Sequence, residues 1–183
     1  QVAITIESAE QAEFDLCLRI PGWAQGRPFP SDLYRFGDPS PADWTVKVNG
    51  QAVEATPLDK GYLRVRRSWK PGDRVELHLP MPVRRVYAHE SVEHDRGRVA
   101  LMRGPIVYCL EGVDHDLSIL SVTLPRKSPV TAEHRKDLLG GVTVLLAKGL
   151  AEGEKPVKLT AVPYYAWQNR GIDEMTVWIV EAE

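Results

Sequence analysis

Hydrophobic residues recur at every second position along this chain, and that period constrains its fold more than any other feature. Val2, Ile4 and Ile6 fall on one side of the opening run. Phe14, Leu16, Leu18 and Ile20 fall on one side of the next, with Asp15, Cys17 and Arg19 on the other. Successive side chains of a strand point to opposite faces, so this alternation marks half-buried β-strands. Trp44, Val46 and Val48 continue the pattern up to Asn49-Gly50, a pair that readily takes the positive φ angles of a tight hairpin turn. After YLRVRRSW, residues 62–69, comes Lys70-Pro71-Gly72-Asp73. There proline pre-sets φ and glycine supplies a positive φ, as a type II turn requires. Val75, Leu77 and Leu79 then alternate again, and strand, turn and strand are expected to form a meander.

Further short apolar runs follow at 83–92, 96–114, 117–124, 142–146, 157–167 and 175–183. Only residues 133–139, EHRKDLL, are expected to hold a helical turn or two. Many short strands with turn signals between them and almost no helix predict an all-β chain of antiparallel β-sandwiches. Prolines cannot donate to a central ladder, so Leu79-Pro80-Met81-Pro82 is the best internal boundary, giving domains of residues 1–82 and 83–183. With 183 residues, 43% apolar and 26% charged, the chain can build ordinary globular cores. It opens at Gln1, already in a strand pattern and without an initiator methionine, so it is expected to be a piece of a longer polypeptide.

Charge and composition exclude several classes of function. A net charge of −2, with only the doublets Arg66-Arg67 and Arg84-Arg85, gives no footprint for nucleic acid or an anionic membrane. No run approaches the ~20 apolar residues of a membrane span. The chain therefore reads as soluble, with the cytoplasm favoured. Cys17 and Cys109 are too few and too far apart in sequence for a disulfide framework or a metal knuckle.

Few residues carry a chemical signal. His89 and His94, with Glu90, Glu93 and Asp95, are metal-ligand types, but two histidines five apart on an extended segment face opposite ways, so a solvated loop is expected. His115 between Asp114 and Asp116 has the neighbours of an oriented base, yet no nucleophile motif accompanies it. Cys109 shares a strand face with Val107 and Glu111, and a carboxylate beside a thiol disfavours the thiolate, so a buried filler is expected. Read as an extended segment, residues 164–170 place Tyr165, Trp167 and Asn169 on one face and Tyr164, Gln168 and Arg170 on the other. Aromatics beside Asn and Arg suit core packing, a domain interface or stacking on a sugar.

The run RGRVALMRGPIVYCLEGVD, residues 96–114, is apolar on both faces and is broken by Gly104-Pro105. It reads as strands 99–103 and 106–111 covered on both sides, with Arg103 and Glu111 in buried or interdomain pairing rather than acid/base work. Arg103, Glu111, Tyr165, Trp167, Asn169 and Arg170 are the candidate interdomain or ligand surface.

Several stretches taken together resemble the C-terminal region of glycoside hydrolase family 127, which includes the β-L-arabinofuranosidases. They are LRIPGWA (18–24), VNGQ (48–51), GYLRVRRSWKPGDRVELHLPM (61–81), GRVALMRGPIVYCLE (97–111), PYYAWQNRG (163–171) and MTVWI (175–179). The weakest stretch is 112–156. The resemblance implies two consecutive, jelly-roll-like β-sandwiches: a middle domain, expected to be truncated at its start because residues 2–8 already read as inside the sandwich, and a C-terminal domain. It implies that catalysis resides in an absent N-terminal α/α barrel, where a zinc-bound cysteine is the nucleophile and a glutamate the acid/base. None of those motifs maps onto this chain, so no catalytic residue, metal ligand or cofactor is assigned here, and zinc is expected only in the absent domain. The partners implied are that barrel, a second subunit and an arabinose-containing carbohydrate. Bracing the barrel is the leading reading. A carbohydrate-binding module using Tyr165 or Trp167 is the alternative, and an enzyme in its own right the third.

Overall fold

A computed structural model describes residues 1–7, 13–54 and 57–183. The described residues hold sixteen strands and short 3-10 turns with no longer helix. The chain forms two compact units: residues 1–27 with 39–81, and residues 28–38 with 82–183. It therefore passes from one unit to the other three times, at 27/28, 38/39 and 81/82.

In the first unit, β1 (Val2–Thr5), β7 (Arg74–His78), β4 (Thr45–Val48) and β5 (Gln51–Ala52) form a four-stranded antiparallel sheet in that order. A two-stranded sheet pairs β2 (Glu13–Arg19) with β6 (Tyr62–Ser68). Both sheets contribute alternate residues to one core, Val46, Val48, Val75 and Leu77 from the first and Leu18, Leu63 and Val65 from the second, around a fully buried Trp69.

Asn49 (φ 52°) and Gly50 (φ 80°) make the predicted hairpin between β4 and β5. The predicted turn at 70–73 is also present, with Gly72 at φ 89° and the Asp73 N–H donating to the Lys70 carbonyl at 3.0 Å. The meander expected there does not form, because β6 and β7 lie in different sheets. Type II turns splay their flanking strands, whereas paired strands need the mirror-image turns. This one carries the chain from one sheet to the other, with Trp69 anchoring the corner.

The two turns are tied together. The Asn49 side-chain amide donates to Asp73 Oδ1 at 2.8 Å, and the backbone N–H of Lys70 to Asp73 Oδ2 at 2.9 Å. These bonds, the Asn49 one first, hold the Asp73 carboxyl below its ordinary value of 3.8. A carboxyl whose pKa is lowered on folding stabilises the fold above its unfolded pKa and loses that contribution as pH falls through the lower, folded value. Asp73→Asn is therefore expected to be less stable than the parent at neutral pH, with the gap closing as pH drops below 3.8. Thermal melts at two pH values check this, and a gap independent of pH would contradict it.

In the second unit β3 (Tyr34–Phe36) pairs with β8 (Val83–Ala88), which pairs with β9 (Arg98–Arg103). From β9 the ladder runs through β10 (Ile106–Glu111), β14 (Lys155–Pro163), β13 (Val142–Ala151), β11 (Thr123–Pro125) and β16 (Ile179–Ala182), and returns to β9. Where strand alternation leads to the expectation of a second sandwich, the pairing closes a six-strand ring, antiparallel except between β11 and β16. Every ring strand supplies the interior: Val99 and Leu101, Tyr108 and Leu110, Leu124, Leu145 and Ala147, Leu159 and Ala161, and Ile179. The ring is tight at Gly149, where an added Cβ would lie 2.5 Å from Leu159 Cδ1 and 2.8 Å from the Thr123 carbonyl.

The other face of three ring strands is also covered. Cys109, Val142, Val144 and Val162 pack with Ala166, and Trp167 and Leu139 lie against them. This accounts for the two-faced apolar pattern of 106–111.

Three local expectations are corrected. Residues 133–139 hold no helical turn, since β12 (Val130–Arg135) pairs along β13 and the chain then bends through Leu139, Gly140 and Gly141, all at positive φ. Residues 117–124 are a 3-10 turn at Ile119–Ser121 followed by the short β11, not one strand. Residues 164–170 are not extended, because Tyr164–Ala166 form a 3-10 turn closed by the Trp167 N–H on the Tyr164 carbonyl at 3.1 Å. That turn brings Tyr164 and Trp167 onto the same side, stacked at 5.9 Å.

Candidate functional site

The sequence places Glu111 at the end of a buried strand, and such a carboxylate needs a partner. β10 carries it into the interior, 3% exposed, where the Arg170 guanidinium donates to its Oε2. The backbone N–H of Gln168 donates to its Oε1 at 2.9 Å. Arg170 also grips Asp114 in a two-pronged bond, Nη1 to Oδ1 at 2.7 Å and Nη2 to Oδ2 at 2.6 Å. The Asp114 carboxylate first, and then Glu111, hold the Arg170 proton more firmly than in water, against the opposing effect of burial. One guanidinium thus serves two carboxylates and fastens the loop after β14 to the end of β10.

His115 completes the same corner. Its Nδ1 lies 2.7 Å from the Glu111 carbonyl, and its Nε2 accepts from the Thr160 N–H at 3.2 Å. Nδ1 is then the protonated nitrogen, and both ring nitrogens are committed to backbone. Glu174 ties down the adjoining loop, accepting from Ser118 Oγ at 2.8 Å and the Ile119 N–H at 3.1 Å.

Of the six candidate residues, the fold gathers Glu111, Trp167, Asn169 and Arg170 into this corner. Asn169 caps the 3-10 turn, its side-chain amide donating to the Ala166 carbonyl at 3.0 Å. Trp167 packs inward beside Cys109. Tyr165 points away, 68% exposed. Arg103 stands near the Tyr108 hydroxyl, which is buried with no hydrogen-bond partner among the described residues and whose proton is held more tightly by burial, with Arg103 opposing. Asp114, read from sequence only as a neighbour of His115, is the principal partner of Arg170. At a separation of 56 positions, no local pattern signals the pair.

Cys109 is 1% exposed and its thiol is pushed up to about 12, by burial first and then by the Glu111 charge. Thiolates are the reactive form. Cys17 and Cys109 are both free. Among the described residues, no group of three or more His, Cys, Asp and Glu side chains is placed to hold a metal ion. No helix among the described residues is long and apolar enough to cross a membrane.

Two outcomes follow from this corner. Arg170→Leu leaves two adjoining carboxylates without their cation, and breaking a buried pair in this way costs about 3–5 kcal/mol. Tyr165→Ala, on the exposed side, should stay within about 0.5 kcal/mol of the parent. Denaturant unfolding separates the two, and equal stability of both variants would refute the assignment. In the folded chain an aromatic disulfide reagent should modify Cys17 and spare Cys109 until denaturant is added.

The family model described as the glycoside hydrolase family 127 C-terminal domain matches residues 83–180. The one described as β-L-arabinofuranosidase, GH127 middle domain, matches residues 1–81. A non-reducing end β-L-arabinofuranosidase of Bifidobacterium longum subsp. longum is 31% identical over 93% of this chain, which spans only 26% of that protein. Among solved structures, a GH127 β-arabinofuranosidase superposes with a TM-score of 0.85 at 40% identity, over 93% of this chain and 28% of its own. A GH127 β-L-arabinofuranosidase from Geobacillus stearothermophilus T6 does so with 0.81 at 39% identity, over 98% of this chain and 28% of its own.

Proposed function

Since the chain belongs to glycoside hydrolase family 127, we propose that it is a non-catalytic accessory region that braces a catalytic α/α barrel carried elsewhere on the same polypeptide. The observation that carries this reading is coverage: the chain matches the family's middle and C-terminal modules while spanning only 26–28% of the relatives it resembles. In this reading residues 1–82 are the middle domain, whose two sheets share one core and whose residues 28–38 join the second unit, and residues 83–183 are the C-terminal domain. The whole enzyme would act on β-L-arabinofuranosides, as its relatives' names state.

The internal chemistry supports a scaffold. Glu111, Asp114, His115 and Arg170 are all engaged with one another or with backbone. The zinc-thiolate chemistry of the resemblance finds no fit at Cys109, whose neighbouring carboxylates both serve Arg170. Surface side chains supply docking material: Leu120 is 60%, Tyr165 68% and Ile172 90% exposed, on loops fixed by Glu174 and Arg170. Seated against the barrel, these side chains would leave water.

Incubated with an aryl β-L-arabinofuranoside and zinc, this chain should release no aglycone. Turnover abolished by Cys109→Ala would overturn the reading. Deleting the region from the whole enzyme should cost soluble, active barrel, and a truncated enzyme with unchanged melting temperature and turnover would sink the bracing role.

A further inference from the structure

Glu181 on β16 is the most heavily used carboxylate of a second cluster that sequence reasoning missed. Its side chain is 4% exposed. Oε1 accepts from Arg85 Nη1 at 2.9 Å and from the Tyr87 hydroxyl at 2.7 Å, and Oε2 accepts from Arg126 Nε at 3.0 Å. Arg85 is held at both terminal nitrogens, since its Nη2 donates to the Pro125 and Ser128 carbonyls at 2.9 and 3.0 Å. Arg126 is held less fully. Its side chain is 63% exposed, and Glu181 holds it by Nε alone, so both terminal nitrogens keep their donors among the described residues. The Arg35 guanidinium carbon lies over the Tyr87 ring, 5.3 Å from its centroid, with no hydrogen bond or ion pair from its side chain among the described residues.

These groups line one cleft of about 650 Å³ within the second unit. That is within the range of roughly 300–1,000 Å³ typical of small-molecule sites. Its walls hold six arginines against four carboxylates, Asp38, Glu90, Asp95 and Glu181, so the balance is 6 − 4 = +2. Arg84, Arg96 and Arg98 donate to the carbonyls of Asp38, Glu90 and Trp178. Each of these bonds uses one guanidinium nitrogen, as the Glu181 bond does in Arg126, while Arg35 makes none among the described residues; Arg35 and Arg126 are also exposed, whereas Arg84 and Arg98 are half-buried. Arginine offers a planar fork of donors that matches carboxylate and phosphate oxygens two at a time.

We propose that this cleft binds an oxyanion, with Arg126 and Arg35 as direct donors and Glu181 as the positioning residue that aims Arg126. The shared chemistry is a carboxylate or phosphate group, presented by an acidic saccharide or by a phosphate-bearing small molecule. The site uses only residues of the second unit and stands or falls independently of the bracing role.

Calorimetric titration of the chain with D-galacturonate, inorganic phosphate and L-arabinose tests it. Saturable binding of either anion, weakened by added salt and absent for arabinose, is expected. Galacturonate alone would assign the cleft to acidic saccharides, and phosphate alone to phosphate-bearing ligands. Arg35→Gln and Arg126→Gln, both at exposed side chains, should each cost about tenfold in affinity, the loss of one charge-assisted contact. Arg126→Lys should recover part of that loss. Glu181→Gln separates positioning from simple charge, since removing a negative charge would tighten anion binding electrostatically, whereas loss of aim weakens it. Binding of neither anion, or binding unchanged in both arginine variants, overturns the proposal.

Discussion

Closure of the six-strand ring is the constraint on which the second unit depends. A sheet ends in unpaired N–H and C=O groups unless it closes on itself. Here β9 takes up both ends of the circuit, pairing with β10 at 102–103 and with β16 at 98–99. Closure turns one face of six strands into a sealed interior, and it also leaves an outer face on β10, β13 and β14 that is too apolar for water. The loop 164–171 covers that face, and the Glu111–Arg170–Asp114 cluster holds the loop in place. The buried charges therefore follow from the ring, since the cover must be fastened to the strand it covers.

This explains why residues with chemical potential carry so little chemistry. A carboxylate engaged at both oxygens, an imidazole bonded at both nitrogens and a buried, protonated thiol have little left to offer a ligand. The contrast lies in the cleft beside Glu181, where the same kind of buried carboxylate leaves arginine donors over. Both clusters belong to one unit and use the same amino acids, but only one has spare hydrogen-bonding capacity facing an opening.

Local features were legible in the sequence, and remote ones were not. Alternation located most strands, and Asn49-Gly50 and Lys70–Asp73 announced their turns, because those signals rest on neighbouring residues. The two-faced apolar run at 106–111 disclosed a strand covered on both sides. Pairing between distant segments left no such trace: the passage of 28–38 into the second unit, the separation of β6 from β7, and the partnership of Arg170 with residues 56 and 59 positions away. The 3-10 turn at 164–166 was hidden for another reason. Tyr-Tyr-Ala-Trp fits a strand by propensity, and the bond that closes the turn depends on backbone geometry rather than on residue type. Family resemblance identified the modules, and the corner around Glu111 required coordinates.

The parallel pairing of β11 with β16 joins residues 123–125 to 180–182. Such a junction bears on synthesis as well as on stability. A chain emerging from the ribosome presents β9 through β14 long before their last neighbour exists. Until residue 182 has been added, β11 is paired on one side only, by β13, and residues 98–99 of β9 lack the neighbour that β16 gives them. Distant pairings of this kind fold slowly, and unpaired edges invite association with other chains. Nascent forms of the second unit thus pass through a window of exposure whose length is set by the rate of translation.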